Sequence, residues 1–465
     1  MKITLSEICE AAGGKIISGD PGLIVRNITT ASNVIKGDDL FVPVKGARTD
    51  GHKYIASAFN GGAAASFMSD KEAAGDLSAF PDRGIIAVSD TVAALQKFAA
   101  YYRKKYVKIP YVGITGSVGK TTTREMTARA LSGGLKTYST RGNANSQVGV
   151  PITVTETDPE AEIGVIELGI SEFGEMEKIS ALASCDTCVM TMIGISHMAQ
   201  FGSQENILKE KLKILSGSDK DTVLFVNGDD EILKKLTEEK IHGYGIAGKR
   251  KITVRYFGTG ENADVRALDI VKVNGCPEFT YASGNKRVRV ALSVPGDHMV
   301  LNALCAMAVA ELYHVSPEAS ADELSRFKGF EGRGNFVKLG PADCINDCYN
   351  ASPQSMRSGL CVLRDTPCSG KKYAVLASML ELGDDEEKYH REVGELICKD
   401  FPELDVLYTY GDLAELIAGS VKGKTKVEAF SDFNALRERL LTELSEGDLV
   451  LLKGSNSMGL SKLLT

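Results

Sequence analysis

A glycine-rich segment at residues 112–122, between a short apolar strand and a predicted helix, constrains the fold of this chain most. Its glycines stand at positions 113, 116 and 119, and a lysine and two threonines follow them. Glycine lets the backbone curl close to a phosphate, so that successive N–H groups point at its oxygens. The Lys120 side chain adds a positive charge, and the Thr121 hydroxyl suits Mg²⁺. We therefore predict a nucleotide triphosphate site here, a glycine-rich turn without a ligand being the alternative.

The spacing is a variant of the P-loop. The strict pattern, G-x-x-x-x-G-K-[ST], would need glycine where Ile114 stands. The predicted nucleotide-binding residues of the segment are Gly116, Ser117, Val118, Gly119, Lys120, Thr121 and Thr122.

Length and composition indicate a globular protein of about three domains, because 465 residues exceed one ordinary core. A net charge of −7 gives no sign of a general affinity for nucleic acid. The chain has no apolar run of signal-peptide or membrane-spanning length, so we expect a cytoplasmic protein without membrane association. Its ten cysteines are scattered, which favours reduced thiols. Cys185 and Cys188 have the spacing of a metal or redox pair. We expect them to be structural residues instead.

Alternating strands and helices predict an α/β fold with three domains, at residues 1–106, 107–315 and 316–465. In the central unit, continuous apolar runs indicate a parallel sheet buried on both faces. Residues 252–292 read as a more β-rich stretch. The last unit alternates again and is predicted to be Rossmann-like, although it lacks a G-x-G-x-x-G fingerprint.

Two side chains that can bind metal are predicted near the P-loop. In open parallel sheets, ligands bind at the carboxyl ends of the strands. Glu167 ends one predicted strand of the central unit, and His197 closely follows another. Glu167 is alternatively a helix-capping acid and His197 an ordinary, partly buried histidine. Their common position favours a metal role for both.

The segment 206–214 reads as a charged amphipathic helix. From the pattern alone, a solvated helix face is the expected interpretation.

Together these motifs resemble those of the Mur ligase family, in the same order and over essentially the whole chain. The matching segments are residues 113–122, 141–151, 166–170, 193–197, 296–302, 332–333, 346–353, 379–383 and 453–455.

The resemblance implies ATP-dependent amide formation through an acyl phosphate in peptidoglycan precursor synthesis. It implies UDP-N-acetylmuramoyl-tripeptide as the acid, D-alanyl-D-alanine as the amine, and a monomer. The three domains would bind the UDP substrate, ATP and the incoming amine, in that order. ATP and two Mg²⁺ ions are the implied cofactors.

The resemblance also implies roles for single residues. Lys211 falls where the family carries a carbamylated lysine, with Lys209 or Lys213 as alternatives if the register differs. The implied catalytic residues are Lys120, Lys211, His197 and Arg333. Mg²⁺ would be held by Thr121, Glu167, His197 and Lys211, the nucleotide also by Asn302, Arg333 and Asp347, and the substrates by Asn143, Asn145, Tyr349 and Asn350.

Several positions depart from the family's pattern, mostly in segments that face the substrates. They are Thr29, Thr30, Ala31 and Ser32 near an expected Asp-Ser-Arg, Met299 for Asn, Asn346 for Asp, Ser352 for Asn and Asn456 for a basic residue. A paralogous ligase that joins another acid to another amine is therefore one alternative. A nucleotide-binding protein without ligase activity is the other.

Overall fold

A computed structural model of the protein describes residues 1–46, 49–246, 248–273 and 275–464. In this part of the chain, three α/β units are built on sheets of five, nine and six strands. The predicted fold class is confirmed, with a P-loop on the central sheet and a Rossmann-like C-terminal unit. Among the described residues, no helix combines the length and the apolar character that crossing a bilayer requires.

The N-terminal unit has a mainly parallel sheet of strand order β2-β7-β6-β5-β4, with β2 antiparallel, and a separate β1–β3 pair. Its strands are β1 Ile3–Thr4, β2 Lys15–Ser18, β3 Ile24–Val25, β4 Asn27–Thr29, β5 Asp39–Phe41, β6 Ala65–Met68 and β7 Gly84–Ala87. Its helices are α1 Leu5–Ala12, α2 Ile55–Asn60, α3 Lys71–Ala74 and α4 Thr91–Tyr106.

The central sheet has the order β16-β15-β14-β13-β12-β11-β8-β10-β9. Its strands are β8 Tyr111–Thr115, β9 Thr137–Ser139, β10 Ile163–Glu167, β11 Thr187–Met190, β12 Thr222–Asn227, β13 Ile252–Gly258, β14 Val265–Val273, β15 Cys276–Ser283 and β16 Lys286–Ala291. The helices of this part of the chain are α5 Lys120–Leu131, α6 Gly149–Thr155, α7 Glu175–Ala183, α8 Met198–Phe201, α9 Gln204–Leu212, α10 Glu238–Gly243, α11 His298–Leu312 and α12 Pro317–Ser325.

The register of the central sheet brings the predicted site together. β8 lies between β10 and β11, and all three are parallel and buried. Glu167 is paired with Ile114, and Met190 with Thr115. The carboxyl ends of β10 and β11 therefore flank the turn that follows β8. The β-rich stretch after β12 extends the same sheet, and β14, β15 and β16 form its antiparallel edge.

Helix α12 packs on the central unit. The Ser320 hydroxyl donates to the carbonyl oxygen of Ala130 at 3.2 Å, and Arg129 Nε lies 2.8 Å from Glu323 Oε2. Both of these contacts join α12 to α5. We propose that the central domain continues through this helix, beyond residue 315.

The C-terminal sheet has the order β17-β18-β22-β19-β20-β21 and is parallel except for β17. Its strands are β17 Asn335–Leu339, β18 Ala342–Asp347, β19 Lys372–Ala377, β20 Val406–Tyr410, β21 Lys426–Phe430 and β22 Leu449–Lys453. Its helices are α13 Pro353–Asp365, α14 Glu386–Asp400, α15 Glu415–Ser420 and α16 Phe433–Glu443. Ser352 caps α13 in a reciprocal capping box with Ser355, so serine fills a capping role there that asparagine fills equally well.

Candidate active site

The loop between β8 and α5 has the backbone conformation of a phosphate-binding turn. Gly116 and Gly119 have φ angles of +149° and +87°, which glycine adopts readily. A Cβ at position 116 would lie 1.9 Å from the Thr191 hydroxyl oxygen. That hydroxyl donates to the Val118 carbonyl at 2.6 Å, and the Ser117 N–H donates to the Met192 carbonyl at 2.9 Å. The segment after β11 thus fixes the loop from one side.

The Lys120 side chain turns back over the same loop. Its Nζ donates to the Gly116 carbonyl oxygen at 2.8 Å. Loss of hydration lowers the pKa of Lys120; the carboxylate of Glu167 opposes this shift, and the guanidinium of Arg333 adds to it. The bond to Gly116 holds the Lys120 side chain at the loop where a phosphate would bind.

Glu167 is buried and receives hydrogen bonds from three neighbouring side chains. Thr121 Oγ1 and Asn145 Nδ2 donate to its Oε1 at 3.2 Å and 2.7 Å. Arg124 Nη1 donates to its Oε2 at 3.2 Å. Glu167 therefore lies against the P-loop threonine. These contacts are not those of a residue that caps a helix.

Arg124 is a site residue that the sequence reasoning missed. It is fully buried, and its Nη1 also donates to the Gly142 carbonyl at 2.8 Å, while its Nη2 contacts Glu125. It thus ties Glu167 to the loop that precedes Asn143. The available signal was its position three residues after Thr121 on α5, since residues three apart share one helix face.

His197 lies at the N-terminus of α8 with a φ angle of +60°. Its Nδ1 is 2.9 Å from Oε2 of Glu381, which belongs to the C-terminal unit. Burial lowers the pKa of His197; Glu381 opposes this shift, and the nearby cations Lys211 and Lys120 add to it. Lys211 and Lys120, which the resemblance assigns to the same site, therefore lie close enough to affect this imidazole.

Lys211 is buried, whereas the two alternative lysines are not. Its exposed fraction is 2%. Lys209 is about half exposed and lies 3.7 Å from Glu205, and Lys213 forms an ion pair with Glu210 at 2.8 Å. Burial lowers the pKa of Lys211 well below its ordinary value, and the charge of Lys120 lowers it further. The pattern-based expectation of a solvated face was wrong for Lys211 and Glu210, since both pack inward.

Replacing Lys211 by methionine is expected to raise the Tm of the protein in bicarbonate-depleted buffer at neutral pH. Because the folded-state pKa is lowered from 10.5, the unfolded chain binds a proton that the folded chain does not. The lysine thus costs stability as the pH falls below 10.5. The gain in the variant is expected to fade above that pH. Thermal unfolding across pH, with Lys209→Met as control, checks this, and a pH-independent gain would contradict it.

A cavity between the central and C-terminal units begins at the P-loop and ends at the edge of the C-terminal sheet. Asn302, Arg333 and Asp347 line it, together with residues 117–123 of the loop and α5. Asn302 Oδ1 accepts a hydrogen bond from Thr123 Oγ1 at 3.0 Å. The cavity also has an apolar wall, formed by Phe257, Pro295, Met299, Leu301, Ile345 and Val362.

Arg333 crosses from the C-terminal unit to the P-loop. Its Nη2 donates to Thr121 Oγ1 at 3.4 Å, and its guanidinium lies 3.9 Å from the centre of the Tyr349 ring. At the far side of the cavity, Lys453 Nζ lies 2.5 Å from Asp347 Oδ2 and donates to the Asn350 carbonyl at 3.2 Å. β18 and β22 run parallel with Asp347 and Lys453 in register, which explains this pairing.

Three of the four predicted substrate residues line two further cavities near the P-loop. Asn143 and Tyr349 lie in one, together with Thr121 and Arg333. Tyr349 and Asn350 lie in the other, which includes His197. Asn145 is not among the residues that line these cavities, and its amide donates to Glu167 instead.

The donor set around Thr121 and Glu167 suits Mg²⁺. Within the described ranges, no three His, Cys, Asp or Glu side chains converge as a self-contained metal site. Mg²⁺ commonly uses one or two carboxylates and takes its remaining ligands from phosphate and water. One carboxylate beside a P-loop hydroxyl at 3.2 Å fits that pattern.

A P-loop, a carboxylate at the next strand end and a cavity closed by a second α/β unit define a nucleotide triphosphate-dependent enzyme. Comparison with known proteins agrees with this class. Three family models match: the Mur ligase family catalytic domain at residues 24–103, the Mur ligase middle domain at 114–310 and the Mur ligase glutamate ligase domain at 332–456.

Curated relatives match over the full length. The UDP-N-acetylmuramoyl-tripeptide–D-alanyl-D-alanine ligase of Bacillus subtilis is 34% identical over 471 residues, covering 100% of this chain and 98% of that protein. The ligase of the same name from Escherichia coli is 30% identical over 466 residues, with the same coverage. The chain belongs to the Mur ligase family and is an ATP-dependent ligase.

Solved structures give the same assignment of fold. A crystal structure of MurF from Acinetobacter baumannii has a TM-score of 0.86 at 28% identity, covering 100% of this chain and 98% of that one. The MurF ligase from Thermotoga maritima, in complex with ADP, has a TM-score of 0.78 at 27% identity, covering 95% and 96%.

Proposed function

We propose that the protein adds D-alanyl-D-alanine to UDP-N-acetylmuramoyl-tripeptide, with conversion of ATP to ADP and phosphate, in peptidoglycan precursor synthesis. The full-length likeness to relatives that bear this name carries the choice of substrates. The contacts among Lys120, Thr121 and Glu167 support the ATP-dependent step.

The reaction joins two substrates through an activated carboxyl group. A carboxylate oxygen of the tripeptide attacks the γ-phosphorus of ATP, and the bond from that phosphorus to the ADP oxygen breaks. This gives an acyl phosphate and ADP. The amine of D-alanyl-D-alanine then attacks the acyl carbon, loses a proton, and phosphate leaves from the tetrahedral intermediate.

Each step brings anions together, so the site must supply positive charge and orientation. Lys120 and Arg333 supply the charge at the phosphates. The Gly116 carbonyl of the P-loop holds Lys120, and the Tyr349 ring of the C-terminal unit holds Arg333. Closure of the C-terminal domain would also exclude water from the acyl phosphate.

Thr121, Glu167, His197 and a carbamylated Lys211 would hold two Mg²⁺ ions. When bound, these ions neutralise the phosphate oxygens and orient the carboxylate for attack. A neutral lysine amine that adds CO₂ and releases a proton becomes an anionic carbamate on a long arm. A buried Lys211 with a lowered pKa supports this assignment, because only the unprotonated amine can react.

The nucleotide and the peptide substrates would lie on different sides of the P-loop. We assign the adenine to the apolar wall near Asn302 and the ribose to Asp347. Asn143, Tyr349 and Asn350 would contact the peptide substrates, and Asn145 would act through Glu167. The location in the cytoplasm and the monomeric state stay predictions.

The substrates are tested by incubating the protein with ATP, Mg²⁺, bicarbonate and UDP-N-acetylmuramoyl-tripeptide, with and without D-alanyl-D-alanine. We expect phosphate release that needs both substrates and a product with the mass of the pentapeptide. A folded protein that binds ATP and forms no pentapeptide would contradict the proposal. A panel of other acids and amines would then identify a paralogous ligase.

A further inference from the structure

Glu381 brings an acidic group from the C-terminal domain to His197. The Glu381 backbone has a φ angle of +65°, and that of His197 has +60°. Both conformations are uncommon for residues other than glycine and persist only where the surroundings hold them. The two side chains meet across the domain junction, with Oε2 of Glu381 2.9 Å from Nδ1 of His197.

The loop that carries Glu381 is fixed from both sides. The Met379 N–H donates to Nε2 of His390 at 2.9 Å, and the Leu380 N–H donates to Oγ of Ser455 at 2.9 Å. On the other side the loop packs on α8, since a Cβ at Gly383 would lie 3.2 Å from the backbone nitrogen of Ala199. The position of Glu381 is therefore set by the docking of the C-terminal domain on α8.

Within the part of the chain that the structure describes, Nδ1 of His197 has no partner other than Glu381. Nδ1 is buried, and among the described residues it has no hydrogen bond of good angle. The Glu381 side chain is 61% exposed, so its carboxylate is free to turn and accept a hydrogen bond from the Nδ1–H group. An acceptor at Nδ1 fixes the tautomer and leaves the lone pair on Nε2. In other proteins, carboxylates that accept a hydrogen bond from a metal-binding histidine fix its tautomer in this way.

We propose that Glu381 is a positioning residue through which the docked C-terminal domain fixes the tautomer and orientation of His197. The carboxylate holds the proton on Nδ1, so that Nε2 faces the site as a ligand. The histidine is thus made ready for a metal ion only when the two domains are in contact. The metal role of His197 rests on the proposed function, whereas the pairing itself does not.

The pairing is tested by long-range ¹H–¹⁵N spectra of the full-length protein with labelled histidine, at a pH where the imidazoles are neutral. The chain has six histidines, and His197→Gln assigns the signals of interest. We expect the Nδ1–H tautomer in the wild type and in Glu381→Gln, whose amide oxygen also accepts a hydrogen bond from Nδ1–H. We expect a tautomer mixture in Glu381→Ala. Glu392→Ala, which removes an exposed acid of a neighbouring acidic cleft, is the matched control.

A second readout separates positioning from general damage. We expect Glu381→Ala to raise the Mg²⁺ concentration for half-maximal turnover by about 10-fold, with partial recovery in Glu381→Gln. An unchanged His197 tautomer in Glu381→Ala would overturn the proposal, whether or not the protein turns over the expected substrates. If the wild-type protein does not turn over the expected substrates although the contact of His197 with Glu381 is intact, only the proposed function is overturned.

Discussion

Replacement of Lys120 by alanine is expected to lower kcat by about 10³-fold, the upper range for loss of one group that stabilises developing negative charge. The Lys120 ammonium bonds the Gly116 carbonyl and lies at the phosphate-binding turn. Charge at that point acts in surroundings with little water, where it is worth more than in solution. Initial rates of phosphate release at saturating substrates measure the effect.

The matched control for this variant is Lys209→Ala, which removes an exposed lysine of the same domain. It is expected to retain wild-type kcat. A Lys120→Ala protein that is folded and keeps kcat within about tenfold of wild type would exclude the P-loop lysine as the main cation.

Replacement of Lys211 by alanine is expected to lower kcat by about 10²-fold or more, since it would remove a ligand of a metal site. In the wild type, removal of bicarbonate and dissolved CO₂ is expected to produce a similar loss, which bicarbonate reverses. With ¹³C-labelled bicarbonate, a carbamate signal is expected in the wild type and in Lys209→Ala.

The same signal is expected to be missing from Lys211→Ala. A carbamate signal that survives in this variant would move the modification to another lysine. Full activity without bicarbonate would show that the unmodified amine suffices.

The parallel core of the central domain was predictable because it depends on local patterns. Buried parallel strands read as continuous apolar runs, and β8, β10 and β11 have that composition. The rule that ligands bind at the carboxyl strand ends then selected Glu167 and the His197 segment. The structure bears out the proximity of Glu167 to the P-loop through its bond to Thr121.

The burial of Lys211 could not be predicted from its own segment. Its helix, α9, carries charged residues on several faces, and only its packing determines which of them are enclosed. The periodicity of this segment favoured a solvent-exposed helix face. Only the resemblance to the family assigned Lys211 to the site.

Arg124 and Glu381 were missed for a similar reason. The bonds of Arg124 to Glu167 and Gly142 and the approach of Glu381 to His197 join residues far apart in the sequence. Such contacts are set by how sheets and domains dock. The helical spacing of Arg124 from Thr121 gives its helix face but not its partners. The local sequence around Glu381 does not name its partner.

The central claim is that this site activates a carboxylate by transferring the γ-phosphoryl group of ATP to it. The direct test supplies UDP-N-acetylmuramoyl-tripeptide with its reacting carboxylate labelled with the heavy isotope of oxygen, together with ATP, Mg²⁺, bicarbonate and D-alanyl-D-alanine. The released phosphate is then examined by mass spectrometry. We predict that it carries one labelled oxygen for each amide bond formed, because that oxygen leaves with the phosphoryl group of the acyl phosphate. Amide formation with unlabelled phosphate would contradict the mechanism.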